Sequence, residues 1–282
     1  MALRERAVTA LRRGAAGALK AAAVAADRVR PAAPGIPVLL YHRVGGARPG
    51  EVNLSPPVFA AQLAHLVTGG GVLSLDEALE RLDGPPPTGA GEPPVVLTFD
   101  DGTADFAEVA VPLLVEYRVP ATLYLATRWV EEGRSFWDDG TVLSWAALRD
   151  AVSTGLVTVG SHTHSHALLD RLPPEEVATE LERSAGLIED RLGVACEHFA
   201  YPKALPPSPG AERAVRARFR SAALAGTRPN PYGATDPYRL ARSPVQVADG
   251  MRWFRHKATG GMRLEDDVRA LVNRRRYAGA AR

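Results

Sequence analysis

The chain has 282 residues, 46% of them hydrophobic, with 34 basic against 32 acidic side chains and a net charge of +2. That is apolar mass enough for a sizeable core, and too little net charge to call for a nucleic-acid partner. The single cysteine, Cys196, excludes an internal disulfide framework and any multi-cysteine zinc site, and reads as a small buried residue.

Residues 1–30 read as an Ala-rich helix punctuated by Arg4, Arg6, Arg12, Arg13, Lys20, Arg28 and Arg30. No apolar run reaches the ~20 residues of a membrane span, and Arg12-Arg13 and Lys20 interrupt any signal-peptide core. The expected location is therefore cytoplasmic or the inner membrane surface, with this basic helix as a candidate peripheral contact. Its weakly apolar Ala/Val face argues against insertion. Charge clusters of this kind, like Arg274-Arg275-Arg276 near the C-terminus, are most often simply solvated.

Pro31-Ala32-Ala33-Pro34-Gly35 is a breaker, which divides the chain into a basic helical segment (1–35), a folded domain (36–245) and a C-terminal appendage (246–282). Within the domain, Val38-Leu39-Leu40-Tyr41 and Val95-Val96-Leu97-Thr98-Phe99 are short continuous apolar runs, the pattern of strands buried on both faces. Helical spacing over 59–66 and 106–117 follows each of them. Further strands are expected at 121–125, 157–160, 198–201 and 221–224, with helices near 145–152, 174–192 and 211–218. Alternating strand and helix predict an α/β fold with a parallel sheet, closed or nearly closed into a barrel. Trp253, Phe254 and the last basic run read as a helical addition packed on it.

Three of these strands end in polar residues: Asp100-Asp101, His162-Thr163-His164-Ser165-His166, and Tyr201-Pro202. In parallel α/β folds such ends converge on one face. Asp-Asp-Gly alone is usually a turn. Three of the seven histidines within five residues at a strand end, together with two adjacent aspartates, point instead to a metal site. Two histidines four apart and a carboxylate from another strand make a hydrolytic ligand set, and the second carboxylate is free to take a proton from the attacking water. His42 and Arg43 close the first strand and fall at the same end, as a substrate contact or a supporting group. Trp137, Asp138 and Trp145 precede the histidine strand, where a tryptophan lines the site or joins the core.

Thr98-Phe99-Asp100-Asp101-Gly102 and Ser161-His162-Thr163-His164-Ser165-His166 resemble the first two motifs of the polysaccharide deacetylases, carbohydrate esterase family 4. Leu40-Tyr41-His42-Arg43-Val44, Phe59-Ala60-Ala61-Gln62-Leu63-Ala64-His65-Leu66 and Phe199-Ala200-Tyr201-Pro202 resemble the branch that includes the poly-β-1,6-N-acetylglucosamine deacetylases. The resemblance covers roughly residues 36–245. It implies a distorted (β/α) barrel, Asp100 as general base, and Asp101, His162 and His166 as ligands of a divalent metal, zinc first. His164 becomes a bystander or a supporting group, and Thr163 orients the loop. The backbone N–H of Tyr201 becomes an oxyanion donor, and His42, Pro202 and Lys203 become substrate contacts. The implied substrate is an N-acetylhexosamine glycan or glycolipid precursor, and the products are acetate and a free amine.

Three departures stand out. Lys203-Ala204 follow Tyr201-Pro202 where this branch carries an aromatic and a glycine. No arginine sits in Phe199-Ala200-Tyr201-Pro202 to orient the aspartate. Arg242-Ser243-Pro244-Val245 stands in place of a Leu-x-His acid, with His256 too far on for that role. A non-catalytic, metal-containing glycan-binding protein and a deacetylase of a small glycosylated metabolite are the alternatives. Asp100, which no metal site requires, speaks for catalysis.

Overall fold

In the computed structural model, which describes residues 17–89, 91–136 and 140–277, the apolar runs form seven parallel strands. They are β1 (Val38–Tyr41), β2 (Val95–Asp101), β3 (Ala121–Leu125), β4 (Val157–Ser161), β5 (His198–Ala200), β6 (Ser221–Ala223) and β7 (Arg242–Pro244). Their order is β6-β5-β4-β3-β2-β1-β7. The ends of this path approach each other: Leu224 N–H donates to Leu240 O at 2.8 Å, Leu240 N–H to Ala222 O at 3.0 Å, and Gly226 N–H to Arg242 O at 2.9 Å. The result is a nearly closed, distorted barrel with seven strands along this path, and the two-residue strand Val72–Leu73 pairs in parallel with β2 beside it.

Period-two alternation sorts the strand residues into two layers. Leu39, Tyr41, Leu97, Phe99, Leu123 and Val159 face outward and share one apolar cluster with residues of the surrounding helices. Val38, Val96, Tyr124, Ala200, Ala223 and Leu240 form a second cluster inside the barrel. Gly160 makes room for the Tyr124 ring. A Cβ there would lie 2.9 Å from Tyr124 Cδ1 and 2.6 Å from His198 O.

The outer layer comprises α1 (residues 17–29), α2 (Pro56–Thr68), α3 (Leu75–Leu82), α4 (Val111–Tyr117), α5 (Thr127–Glu132), α6 (Trp145–Ser153), α7 (Pro174–Leu192), α8 (Pro209–Arg218), α9 (Gly250–Ala258) and α10 (Arg263–Tyr277). Proline in the first turn, with Glu175 and Glu176, starts α7 where the dipole favours acid, and Gly193 at φ 70° ends it. The helical run expected from Phe106 opens as a π turn (Phe106–Ala110) before α4 begins. Such turns recur beside functional sites.

The terminal segments correct one expectation. Lys20 is not part of a solvated basic face: its Nζ lies 2.5 Å from both Asp249 Oδ1 and Glu265 Oε1, with only 4% of the side chain exposed. Asp27 accepts the Met262 N–H at 2.6 Å, so α1 packs against the start of α10. Arg4, Arg6, Arg12, Arg13, Trp137 and Asp138 lie outside the described residues, as do the side chains of Arg274, Arg275 and Arg276. Among the described residues no helix is long and apolar enough to cross a membrane.

Candidate active site

The C-terminal strand ends bring the polar residues of the motifs together. Asp100 and Asp101 are the last residues of β2, and His162 follows β4. Asp101 already has φ 79° and Gly102 φ 103°, where a Cβ would meet Leu125 Cδ1 at 2.3 Å. Only glycine fits that exit from the strand. The two adjacent carboxylates then divide, Asp100 to Arg242 with its Oδ2 also 3.7 Å from His162 Nε2, and Asp101 to both histidines.

Asp101 Oδ1 lies 3.8 Å from His162 Nε2 and 3.6 Å from His166 Nε2, and the ligand atoms of the three residues all fall within 4.8 Å of one another. His162 Nδ1 is 2.7 Å from the Ala200 carbonyl oxygen. A carbonyl only accepts, so Nδ1 carries the proton and Nε2 presents its lone pair to the centre. Burial pushes the His162 pKa down, against the opposing pull of Asp100 and Asp101. Burial pushes His166 well down, helped by His162 and Lys203. Neutral imidazole is the form that ligates.

The loop carrying these histidines is held in a costly shape. Thr163 and His166 adopt φ 64° and 59°. Thr163 Oγ1 accepts the Ala167 N–H at 3.0 Å, and Glu180 of α7 accepts both the N–H and the hydroxyl of Ser165 at 2.7 Å. His164 is engaged elsewhere, its Nδ1 lying 2.9 Å from Thr127 Oγ1.

Asp100 is bound by a residue that sequence reasoning did not assign. Arg242, fully buried at the start of β7, donates through Nη1 to Asp100 Oδ1 at 2.6 Å and through Nη2 to Oδ2 at 2.9 Å. It also donates to Leu224 O at 3.2 Å, and its guanidinium carbon stands 5.1 Å from the Tyr124 ring centroid. Burial works to raise the Asp100 pKa, but Arg242, with His162, holds it down to about 2. The arginine absent from the Tyr201 motif thus arrives from the last strand. The available signal was a charged residue alternating with Leu240 and Pro244 in an otherwise apolar stretch.

These groups open onto a cavity of about 300 Å³ whose walls include His42, Arg43, Phe136, Lys203 and Arg269. Pro202 is buried and lies outside those walls. The Tyr201 reading requires correction. Its N–H donates to Ala223 O at 3.0 Å, and its ring is buried edge-on to Phe199. That amide is consumed by the β5–β6 pairing. Trp145 sits on the outer layer, donating to Glu131 at 3.0 Å. His256 lines a groove with Pro34, Gly35, Pro93 and Pro94, which precede β1 and β2, so it lies at the opposite end of the barrel.

Residues 88–220 match the family model described as "Polysaccharide deacetylase". The chain is 24% identical over 170 residues to "Putative polysaccharide deacetylase YxkH" of Bacillus subtilis, a match spanning 59% of this chain and 56% of that relative. Among solved structures, IcaB from Ammonifex degensii is similar at 26% identity and a TM-score of 0.68, over 79% of this chain and 98% of the other. The Streptococcus pyogenes deacetylase PplD, solved with acetate, aligns at 23% identity and a TM-score of 0.69, over the same shares of each chain.

Proposed function

This chain belongs to the polysaccharide deacetylase family, and from that premise we propose that it is a metal-dependent hydrolase removing N-acetyl groups from N-acetylhexosamine glycans or their precursors. The observation that carries the reading is a three-donor cluster, Asp101, His162 and His166, beside an ionised carboxylate, Asp100, that is not among the donors. Two imidazole nitrogens and one carboxylate oxygen suit zinc or a similar divalent ion with a coordination position left open. When bound, such an ion polarises both water and the acetamide carbonyl.

The protein's own groups divide the remaining work. Asp100, held by the Arg242 fork, accepts a proton from the attacking water. His42, a wall residue of the same cavity, is our candidate to return a proton to the departing amine nitrogen. It takes the place of the missing Leu-x-His. With the Tyr201 amide consumed and Pro202 lacking an N–H, neither of those two residues offers a backbone donor to the oxyanion. Asp100 also separates this reading from a purely binding role. A carboxylate 4% exposed and paired to a fully buried arginine is costly to assemble, and glycan binding would not need it.

The test is acetate release from β-1,4- and β-1,6-linked N-acetylglucosamine oligomers by the metal-loaded protein, beside Asp100→Asn. We expect metal-dependent release that falls at least ~100-fold in the variant while its metal content is unchanged. Undiminished release from the variant removes Asp100 as base. Absence of release from metal-loaded wild type on every oligomer removes the deacetylase reading.

A further inference from the structure

We propose that the cleft takes a glycan carrying an anionic group, phosphate or carboxylate, beside the acetamide it loses, and that Arg269 of α10 selects it. The proposal rests on the deacetylase reading above and adds the chemical class of the substrate.

The cavity walls hold His42, Arg43, Lys203 and Arg269 against Asp100 and Asp101. Both aspartates are committed, Asp100 to Arg242 and Asp101 to the histidine cluster. Arg43 faces Asp105 at 3.6 Å with its side chain 10% exposed. Arg269, also in the wall, is the cation on which the selection turns.

Arg269 is poised for such a contact. Its hydrogen bonds among the described residues, to Asp266 and to Thr227 Oγ1 (3.2 Å), both use Nη2. Nε and Nη1 keep their donors, and 23% of the side chain is exposed. A guanidinium offers five N–H groups in a fixed fork that matches carboxylate or phosphate oxygens. Asp266 cancels part of the charge, but with buried Thr227 it also pre-orders the fork, which lowers the entropy cost of capture. Phe136 is the one carbocyclic aromatic ring among the described wall residues. The C-terminal helix thereby supplies a wall of the cleft.

The experiment compares acetate release by the metal-loaded full chain from three oligosaccharides of equal length. One is neutral N-acetylglucosamine oligomer, one alternates N-acetylglucosamine with glucuronate, and one bears a 6-phosphate. Calorimetric binding of the same three to Asp100→Asn protein reads preference without turnover. At least one charged oligosaccharide should exceed the neutral one by about tenfold in kcat/KM and in affinity, chiefly through KM, with the advantage shrinking as salt rises. Arg269→Gln should remove most of that preference, and Arg269→Lys should restore part of it. The carboxylate and phosphate arms identify the source of the anion. If Arg269→Gln fails to fold, Arg269→Met carries the same expectation. Equal affinity for neutral and charged oligosaccharides, or a preference untouched by either substitution, overturns the proposal. Charged-selective binding without acetate from any substrate overturns only the deacetylase reading beneath it.

Discussion

Arg242 is the residue on which the site turns. Its guanidinium has no access to water and meets Asp100 with both arms, so charge and geometry are satisfied together. Arg242→Met would leave a desolvated carboxylate without its partner. We expect a loss of about 3–5 kcal/mol in urea unfolding and no measurable acetate release. Arg242→Lys keeps the charge but not the fork, and should fold while losing most activity. Asp100, Asp101, His162 and His166 could be read from the sequence because each motif is a few contiguous residues at a strand end. Arg242 could not, because it lies 142 positions from Asp100 and reaches it only when the barrel closes.

At the scale of elements, a polar clamp joins α8 to the segment leading into β7. Glu212 accepts from Arg239 Nε at 3.0 Å and from Arg216 Nη2 at 2.7 Å, while Arg216 also reaches Asp236. Hydrogen bonds from Arg239 and Arg216 hold the Glu212 pKa down to about 2, against its usual 4.5. A depressed carboxylate pKa stabilises the fold fully above the unfolded value and loses that contribution as pH falls through the folded one. Glu212→Gln should therefore lower Tm by about 2 °C near neutral pH, a modest effect because the arginines are partly solvated. The difference should fade between pH 4.5 and about 2 in parallel melts. The boundaries of α7 were readable from Pro173-Pro174-Glu175-Glu176 and Gly193, because capping is local chemistry. The strand β7 was not. Arg-Ser-Pro has little strand preference, and its pairing with β1 is set by partners distant in the chain.

At the scale of the whole molecule, α1 is tied to α9 and α10 by a buried cluster of charge. Asp249 lies 2.5 Å from Lys20 of α1 and 2.8 Å from Lys257 of α9, and Lys257 also donates to Pro244 O at 2.8 Å, two residues beyond Arg242. Asp249→Ala would leave two buried lysines to share the single carboxylate of Glu265. We expect about 3–5 kcal/mol of destabilisation by urea unfolding, against a far smaller loss for Arg28→Ala on the exposed face of α1.

The sequence alone determined the α/β class and marked Asp100, Asp101, His162 and His166 as candidate site residues, since apolar periodicity and strand-end motifs are written in neighbouring residues. Tertiary structure alone decided that Arg242 serves Asp100, that the Tyr201 amide is spent on Ala223, that Lys20 faces inward, and that Arg269 lines the cleft. Each of those contacts joins positions far apart in the chain, 229 residues for Lys20 and Asp249. Their energies depend on burial and on partners that exist only once the barrel has closed.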